Sequence, residues 1–186
     1  MSEPAGPATG AASTFERRDS RLVAAPLVRR MAAFLYEGVL LFGVLAVAGL
    51  VYAVLVHQTS GIEHRTGLMA TCFAVLGVYF IGLWTQAGQT LAMKTWHLRL
   101  LTDRGLPLSP RRALARYVAS YVWFLPPLLL AGALHLPSAG AIFGVVGAWI
   151  VLYALASRLH PRGQFWHDAL CGTAIVSIRA ARPLPQ

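Results

Sequence analysis

Residues 117–157 read YVASYVWFLPPLLLAGALHLPSAGAIFGVVGAWIVLYALAS, without one charged side chain. As a single helix rising 1.5 Å per residue, this run would extend about 60 Å, twice the ~30 Å hydrocarbon core of a bilayer. It must therefore fold back once. The break falls at His135-Leu136-Pro137-Ser138, where the chain turns and Ser138 can cap the next helix. Pro126-Pro127, midway through the first half, should kink it, with neighbouring helices satisfying the carbonyls set free. Spans at about 117–134 and 139–157 follow.

Two apolar segments precede them, at about 31–56 and 67–84. The first holds a single acid, Glu37, and the second lies in an uncharged stretch from Thr66 to Met93. The composition agrees with four spans. Of 186 residues, 56 % are hydrophobic and 12 % charged, and the mean hydropathy is +0.58. A soluble domain carries about 25 % charged residues, so an ordinary cytosolic enzyme is excluded. The length allows one domain. Residues 1–26 include Glu16-Arg17-Arg18-Asp19 and have neither an apolar signal-peptide core nor the composition to bury one. They are expected to form a disordered cytosolic tail, and residues 179–186 a short C-terminal one. Cys72 and Cys171 belong to no CxxC or even framework and read as small buried or interfacial residues.

The charges set the orientation. Five arginines lie in residues 1–30, six Arg or Lys in 85–116 and four arginines in 157–186, whereas loop 57–66 has only Arg65 and turn 135–138 none. Fifteen of sixteen basic residues thus fall on one side, which the positive-inside rule assigns to the cytosol together with both termini. This placement explains the net charge of +9 without invoking nucleic acid.

Between the second and third spans, Trp96, Leu98 and Leu100 alternate with Thr95, His97 and Arg99, the period-2 pattern of a strand. Asp103-Arg104-Gly105 makes a turn, and Pro110-Arg111-Arg112 opens an amphipathic basic lead-in to the third span. Gly172–Ile178 is a second strand-like piece, and the two are expected to pair as a small cytosolic β-hairpin element. No internal repeat supports a transporter built from inverted halves.

Glu37 stands out among the polar positions. It lies seven residues after Arg30, near the same helix face and about 10 Å deeper. A carboxylate at that depth needs a partner or a proton, so it is either a proton- or cation-binding group or an interhelical anchor paired with an arginine. Trp166-His167-Asp168 is not a catalytic dyad by adjacency, since successive side chains usually point apart, and no Ser or Cys nucleophile can be assigned to it. The six histidines show no HxxxH or HExxH spacing, and no metal site is expected. Gly140, Gly144 and Ala148 form a small-xxx-small ridge that reads as helix packing. Trp84, Tyr117 and Tyr153, at span ends, read as interfacial anchors. Gly88-Gln89-Thr90 lacks the flanking glycines and GK[ST] ending of a phosphate loop, and no cofactor is expected.

Three segments together carry a resemblance: Arg30–Glu37 (RMAAFLYE), Trp84–Lys94 (WTQAGQTLAMK) and Trp166–Val176 (WHDALCGTAIV). In order and spacing they resemble the RDD family of small bacterial membrane proteins, named for an Arg and two Asp, over roughly residues 27–178. Arg30 matches the Arg position and Asp168 the second Asp; Glu37 stands where the family usually has its first Asp, keeping the charge on a longer side chain. The resemblance implies a bacterial inner-membrane protein, with transport roles proposed for the family and sodium–proton exchange for some members.

Two functional readings remain open from the sequence. One is transport of small ions or solutes of the cation/proton exchange type, by a protomer that oligomerises because four helices seldom enclose a path. The other is a non-catalytic scaffold or assembly partner whose basic face binds anionic lipid or a membrane protein. An enzyme is not expected, because no nucleophile, metal set or cofactor loop can be assembled. Water access to Glu37 discriminates the first reading, a pairing arginine the second. Arg30, Glu37 and Asp168 form the candidate charge cluster, with Arg30 expected to contact Asp168 or Glu37.

Overall fold

The computed structural model describes residues 24–56 and 65–178. The two expected tails, apart from residues 24–26, and most of loop 57–66 lie outside these residues. Four helical stretches are long and apolar enough to cross a membrane: Leu27–Leu55, Arg65–Gln86, Pro110–Ala133 and Ala139–Leu159. The first is helix α1 (Leu27–Leu55), which starts directly after Pro26 and so takes Arg29 and Arg30 into its first turn. The second is α2 (Arg65–Gln86).

The third stretch is not one straight helix. Helix α4 (Pro110–Ala119) runs into a 3-10 turn, Ser120–Trp123, and α5 (Leu125–Ala133) restarts with a proline in its first turn. A proline lacks the N–H for an interior helical bond but is tolerated where that N–H would be free anyway, so the kink lands at Phe124. The amphipathic lead-in and the span are continuous, which places the helix start seven residues before the boundary expected from hydropathy alone. Helix α6 (Ala139–Ala156) is capped by the Ser138 hydroxyl, which accepts from the Ala141 N–H at 3.2 Å. The turn before it is made by Pro137 and by His135 at φ 48°.

Helix α1 packs on α2 and on the short helix α3 (Leu91–Thr95), α2 packs on α4, and α5 packs on α6. Phe34 joins α1 to the third span through Trp123 and Phe124, with ring centroids 4.8 and 6.0 Å away. Trp149 ties α6 to the same place by donating to the Val122 carbonyl at 2.9 Å.

At one end of the bundle, β1 (Leu98–Thr102) pairs antiparallel with β2 (Thr173–Ser177), Leu100 lying opposite Ile175. The expected hairpin is corrected: the strands are not joined by a tight turn but have the third and fourth spans between them. The first strand also starts later than its alternation suggested, because Thr95 ends α3 and Trp96 caps it. Ala24 bridges to Val176, and the Ala25 N–H donates to the Ile175 carbonyl at 3.0 Å, so the chain entering α1 is fastened to β2. Gln164 adds a side-chain amide to the same strand, its Oε1 accepting from the Ile175 N–H at 3.2 Å. The last helix, α7 (Trp166–Leu170), precedes β2 and packs on α4.

Three side-chain expectations are revised. Trp84 and Tyr117 are buried in the core and not interfacial anchors; Tyr117 donates to the Phe73 carbonyl of α2 at 2.7 Å. Tyr153 is only partly buried, with its hydroxyl turned inward to His167. Among the described residues, nothing packs against Gly140 or Gly144, since a Cβ at either would have no atom within 4 Å.

Candidate functional site

The core is not closed near the sheet. A cavity of about 420 Å³ lies between α1, α2, α4 and the 164–176 segment. Its walls are largely aromatic and aliphatic, and Arg30, Glu37, Thr90, Arg116 and His167 reach it from four directions. A volume of this size is within the range of ligand pockets, ~300–1,000 Å³.

Glu37 is 8 % exposed and faces the cavity from the third turn of α1. Its Oε1 accepts from the Tyr79 hydroxyl of α2 at 2.6 Å, and its Oε2 accepts from the Thr90 hydroxyl. Thr90 is also the N-cap of α3, accepting from the Met93 N–H at 3.2 Å. A short loop delivers it. Gly88 sits at φ 67°, and a Cβ there would lie 3.1 Å from the Leu100 carbonyl oxygen. Glycine is therefore needed for the left-handed turn that carries Thr90 under Glu37. The expected arginine partner of Glu37 is corrected: two hydroxyls hold this carboxylate, and no arginine among the described residues is within ion-pair distance of it.

Asp168 is fully buried at the start of α7. Arg116 is its partner, with Nε 2.8 Å from Oδ1, and His167 Nε2 lies 3.2 Å from the same oxygen. Adjacency therefore does not separate His167 from Asp168, contrary to expectation; the tight turn into α7 turns both inward. Tyr153 fixes the imidazole from the far side, its hydroxyl 2.8 Å from Nδ1 and accepting from the His167 N–H at 3.0 Å. Burial alone would raise the Asp168 carboxyl, but the charge of Arg116, with smaller help from His167 and Arg30, holds it down at about 2. Arg116 comes inward because Ala113, Arg116 and Tyr117 form one buried i, i+3, i+4 stripe on α4. Its guanidinium lies over the Trp84 ring, 4.2 Å from the centroid.

Arg30 lines the same cavity but pairs with neither expected carboxylate. Its Nη2 donates to the Gly163 carbonyl at 2.7 Å, and its guanidinium lies over Phe165 at 4.4 Å. Asp168 is already occupied by Arg116, and Glu37 by hydroxyls. Arg30 and Glu37 thus line one cavity, and Asp168 stands behind Arg116 and His167, which line it too. Sequence reasoning missed Tyr79 and Thr90 as partners of Glu37 and put Arg30 where Arg116 stands beside Asp168. The signal for Arg116 was its amphipathic spacing; nothing in one sequence singles out Tyr79.

The model of the RDD family matches residues 24–172. The chain belongs to the RDD family. Comparison with curated proteins and with solved structures gives no match. The RDD match runs from the bridge at Ala24 to the turn before β2, so it takes in all four long helices and every residue of the cavity just described apart from Ile175. In this RDD protein the arginine and acid positions converge on one end of the bundle without forming a direct Arg30 pair.

Proposed function

We propose that this RDD protein moves small ions or solutes across a membrane by cation/proton exchange, with Glu37 as the group that takes up and releases the proton. The observation that carries this reading is that Glu37 faces a cavity inside the helix bundle while held by hydroxyls. A carboxylate whose partners are neutral can cycle between charged and protonated forms, whereas one clamped by a guanidinium is locked as an anion. The anchoring role falls to Asp168, which Arg116 keeps ionised. The setting is a bacterial inner membrane, with both termini in the cytosol and no chemical conversion of what is carried. Support for that orientation is the basic residues Arg29, Arg99, Arg112 and Arg116 at the end of the bundle that carries the sheet. Oligomerisation would complete the path that four helices seldom enclose alone.

Purified protein in vesicles with an imposed pH gradient tests the reading. Cation-dependent collapse of the gradient is expected for the native protein and not for Glu37→Gln, whose amide cannot cycle a proton. Equal flux in both removes Glu37 from the mechanism. Absence of flux in the native protein overturns exchange and favours the alternative, a non-catalytic scaffold binding anionic lipid or a membrane-protein partner through its basic face.

A further inference from the structure

Glu37 brings a negative charge to a cavity with few oxygens for a metal ion. Among the described residues that line it, four carry hydroxyls, and each hydroxyl is already engaged. Thr90 donates to Glu37 and accepts from the Met93 N–H. Ser120 donates to the Tyr117 carbonyl at 2.7 Å, Tyr117 donates to the Phe73 carbonyl at 2.7 Å, and the Tyr121 hydroxyl lies 2.9 Å from that of Tyr117. An alkali ion leaving water needs a shell of protein oxygens in place of its hydration. Glu37 alone does not supply one, since its two oxygens also hold the Tyr79 and Thr90 hydroxyls.

The wall presents aromatic rings instead. Phe34, one turn of α1 before Glu37, lies 4.8 Å from the Trp123 ring. Phe80, the residue after Tyr79, lies 4.9 Å from the Trp84 ring. Ring faces attract cations, and two of the chain's own already rest on this wall: Arg30 over Phe165 at 4.4 Å and Arg116 over Trp84 at 4.2 Å. A cation that carries its charge under apolar groups gives up little hydration here and gains from the burial. The 420 Å³ of the cavity suits a molecule of that kind better than a bare metal ion. At its rim stand Leu35 and Phe124, 66 % and 42 % exposed in two membrane-length helical stretches, so the mouth opens where a lipophilic ion would partition.

The charges around the site fit this occupant. Arg116 is neutralised by Asp168 at 2.8 Å, and His167 lies against the same carboxylate. Tyr79 and Tyr117 bring phenols from α2 and α4, and Lys94 of α3 is exposed. Arg30 is left as the positive charge facing Glu37, two turns away along α1 or about 10 Å. A proton on Glu37 and a monovalent cation beside it give the same total charge, so one replaces the other without charging the buried wall further.

We propose that the cation exchanged at Glu37 is a lipophilic onium ion, an ammonium or phosphonium bearing apolar groups, with its charge beside the carboxylate and its apolar groups against Phe34 and Phe80. This substrate class rests on the exchange reading of Glu37, but binding reads it without flux.

The test is equilibrium dialysis of the intact protein in neutral detergent against tetraphenylphosphonium, with tetraphenylborate as an anion of the same shape. Saturable binding of the cation is expected at pH 8, with affinity falling as pH is lowered because the proton competes for Glu37. Glu37→Gln should weaken it about tenfold or more and remove the part of the pH dependence that the carboxyl carries. Phe34→Leu should weaken it about threefold or more. Sodium chloride, compared at equal ionic strength with N-methylglucamine chloride, should not displace it. Unchanged affinity in a folded Glu37→Gln or Phe34→Leu, equal saturable binding of tetraphenylborate, or a pH dependence that survives whole in Glu37→Gln and so belongs to His167, overturns the site. Displacement by sodium overturns the onium ion in favour of a metal-ion site. In vesicles with an imposed pH gradient, collapse driven by sodium but not by tetraphenylphosphonium overturns the onium assignment and leaves exchange standing. Saturable, proton-competed binding without collapse by either cation overturns exchange and upholds the site.

Discussion

Arg116 and Asp168 meet with Nε 2.8 Å from Oδ1, both side chains almost fully buried, one at the start of the third span and the other after the fourth. The contact fastens the last cytosol-proposed segment to the bundle and frees Arg30 from the role its position suggested. Removing one partner leaves a buried charge uncompensated, at a cost on the order of 3–5 kcal/mol. Arg116→Ala and Asp168→Ala should each lower the melting temperature in detergent, and the double variant should lose clearly less than the sum. Arg30→Ala with Asp168→Ala should come closer to additivity, since only longer-range charge joins them. The reverse ranking of the two cycles would identify Arg30 as the true partner.

The same pair makes stability depend on acid pH in one direction. The folded Asp168 carboxyl sits at about 2, below the ordinary aspartate value of 3.8, because the Arg116 guanidinium outweighs the effect of burial. Stability from this group is therefore fully present above pH ~4 and is lost as pH falls toward 2, by an amount on the order of 2 kcal/mol. The difference in melting temperature between the native protein and Asp168→Asn should be constant from pH 5 to 7 and shrink below pH 4. A difference that stays constant down to pH 2.5 would contradict the ion pair.

Thr90 has two tasks, capping α3 and donating to Glu37. Thr90→Val keeps the shape and removes both, so a loss of about 1–3 kcal/mol in chemical denaturation is expected. Thr90→Ser should restore most of it. If Thr90→Val is as stable as Thr90→Ser, the hydroxyl does not hold the carboxylate.

Two glycines should respond oppositely to alanine. Gly88→Ala meets the Leu100 carbonyl oxygen at 3.1 Å in a left-handed conformation and should cost about 1–2 kcal/mol. Gly144→Ala meets nothing within 4 Å among the described residues and should be neutral or slightly stabilising in a monomer. Melting temperatures of the two variants decide it; a large loss for Gly144→Ala would reveal a partner helix on that face.

Orientation is open to reporter fusions. A periplasm-active enzyme fused after Gly61 should be active, and fusions after Gly105 or at Gln186 inactive. Activity at Gln186 would mean that one apolar stretch, the one broken near Pro126-Pro127, fails to cross.

What the sequence by itself determined is the part governed by near-neighbour chemistry. Four apolar stretches, a capping Ser138 and the Pro126-Pro127 break fix where helices run and where they stop, because hydropathy and backbone constraint act within a few residues. The period-2 run around Leu98 and the strand-like piece Gly172–Ile178 marked both strands, and three charged positions were found worth watching. Tertiary structure alone decided who pairs with whom. Arg116 takes Asp168 because the stripe Ala113, Arg116, Tyr117 turns toward the core, while Arg30, two turns nearer the chain's start than Glu37, is drawn aside by the Gly163 carbonyl and the Phe165 ring. The hydroxyls of Tyr79 and Thr90 reach Glu37 from a different span and a loop, and Trp84 and Tyr117 are buried because helices α2 and α4 pack face to face. A buried charge accepts whichever partner the packing brings within about 3 Å, and that distance depends on helix rotation, which no local pattern encodes.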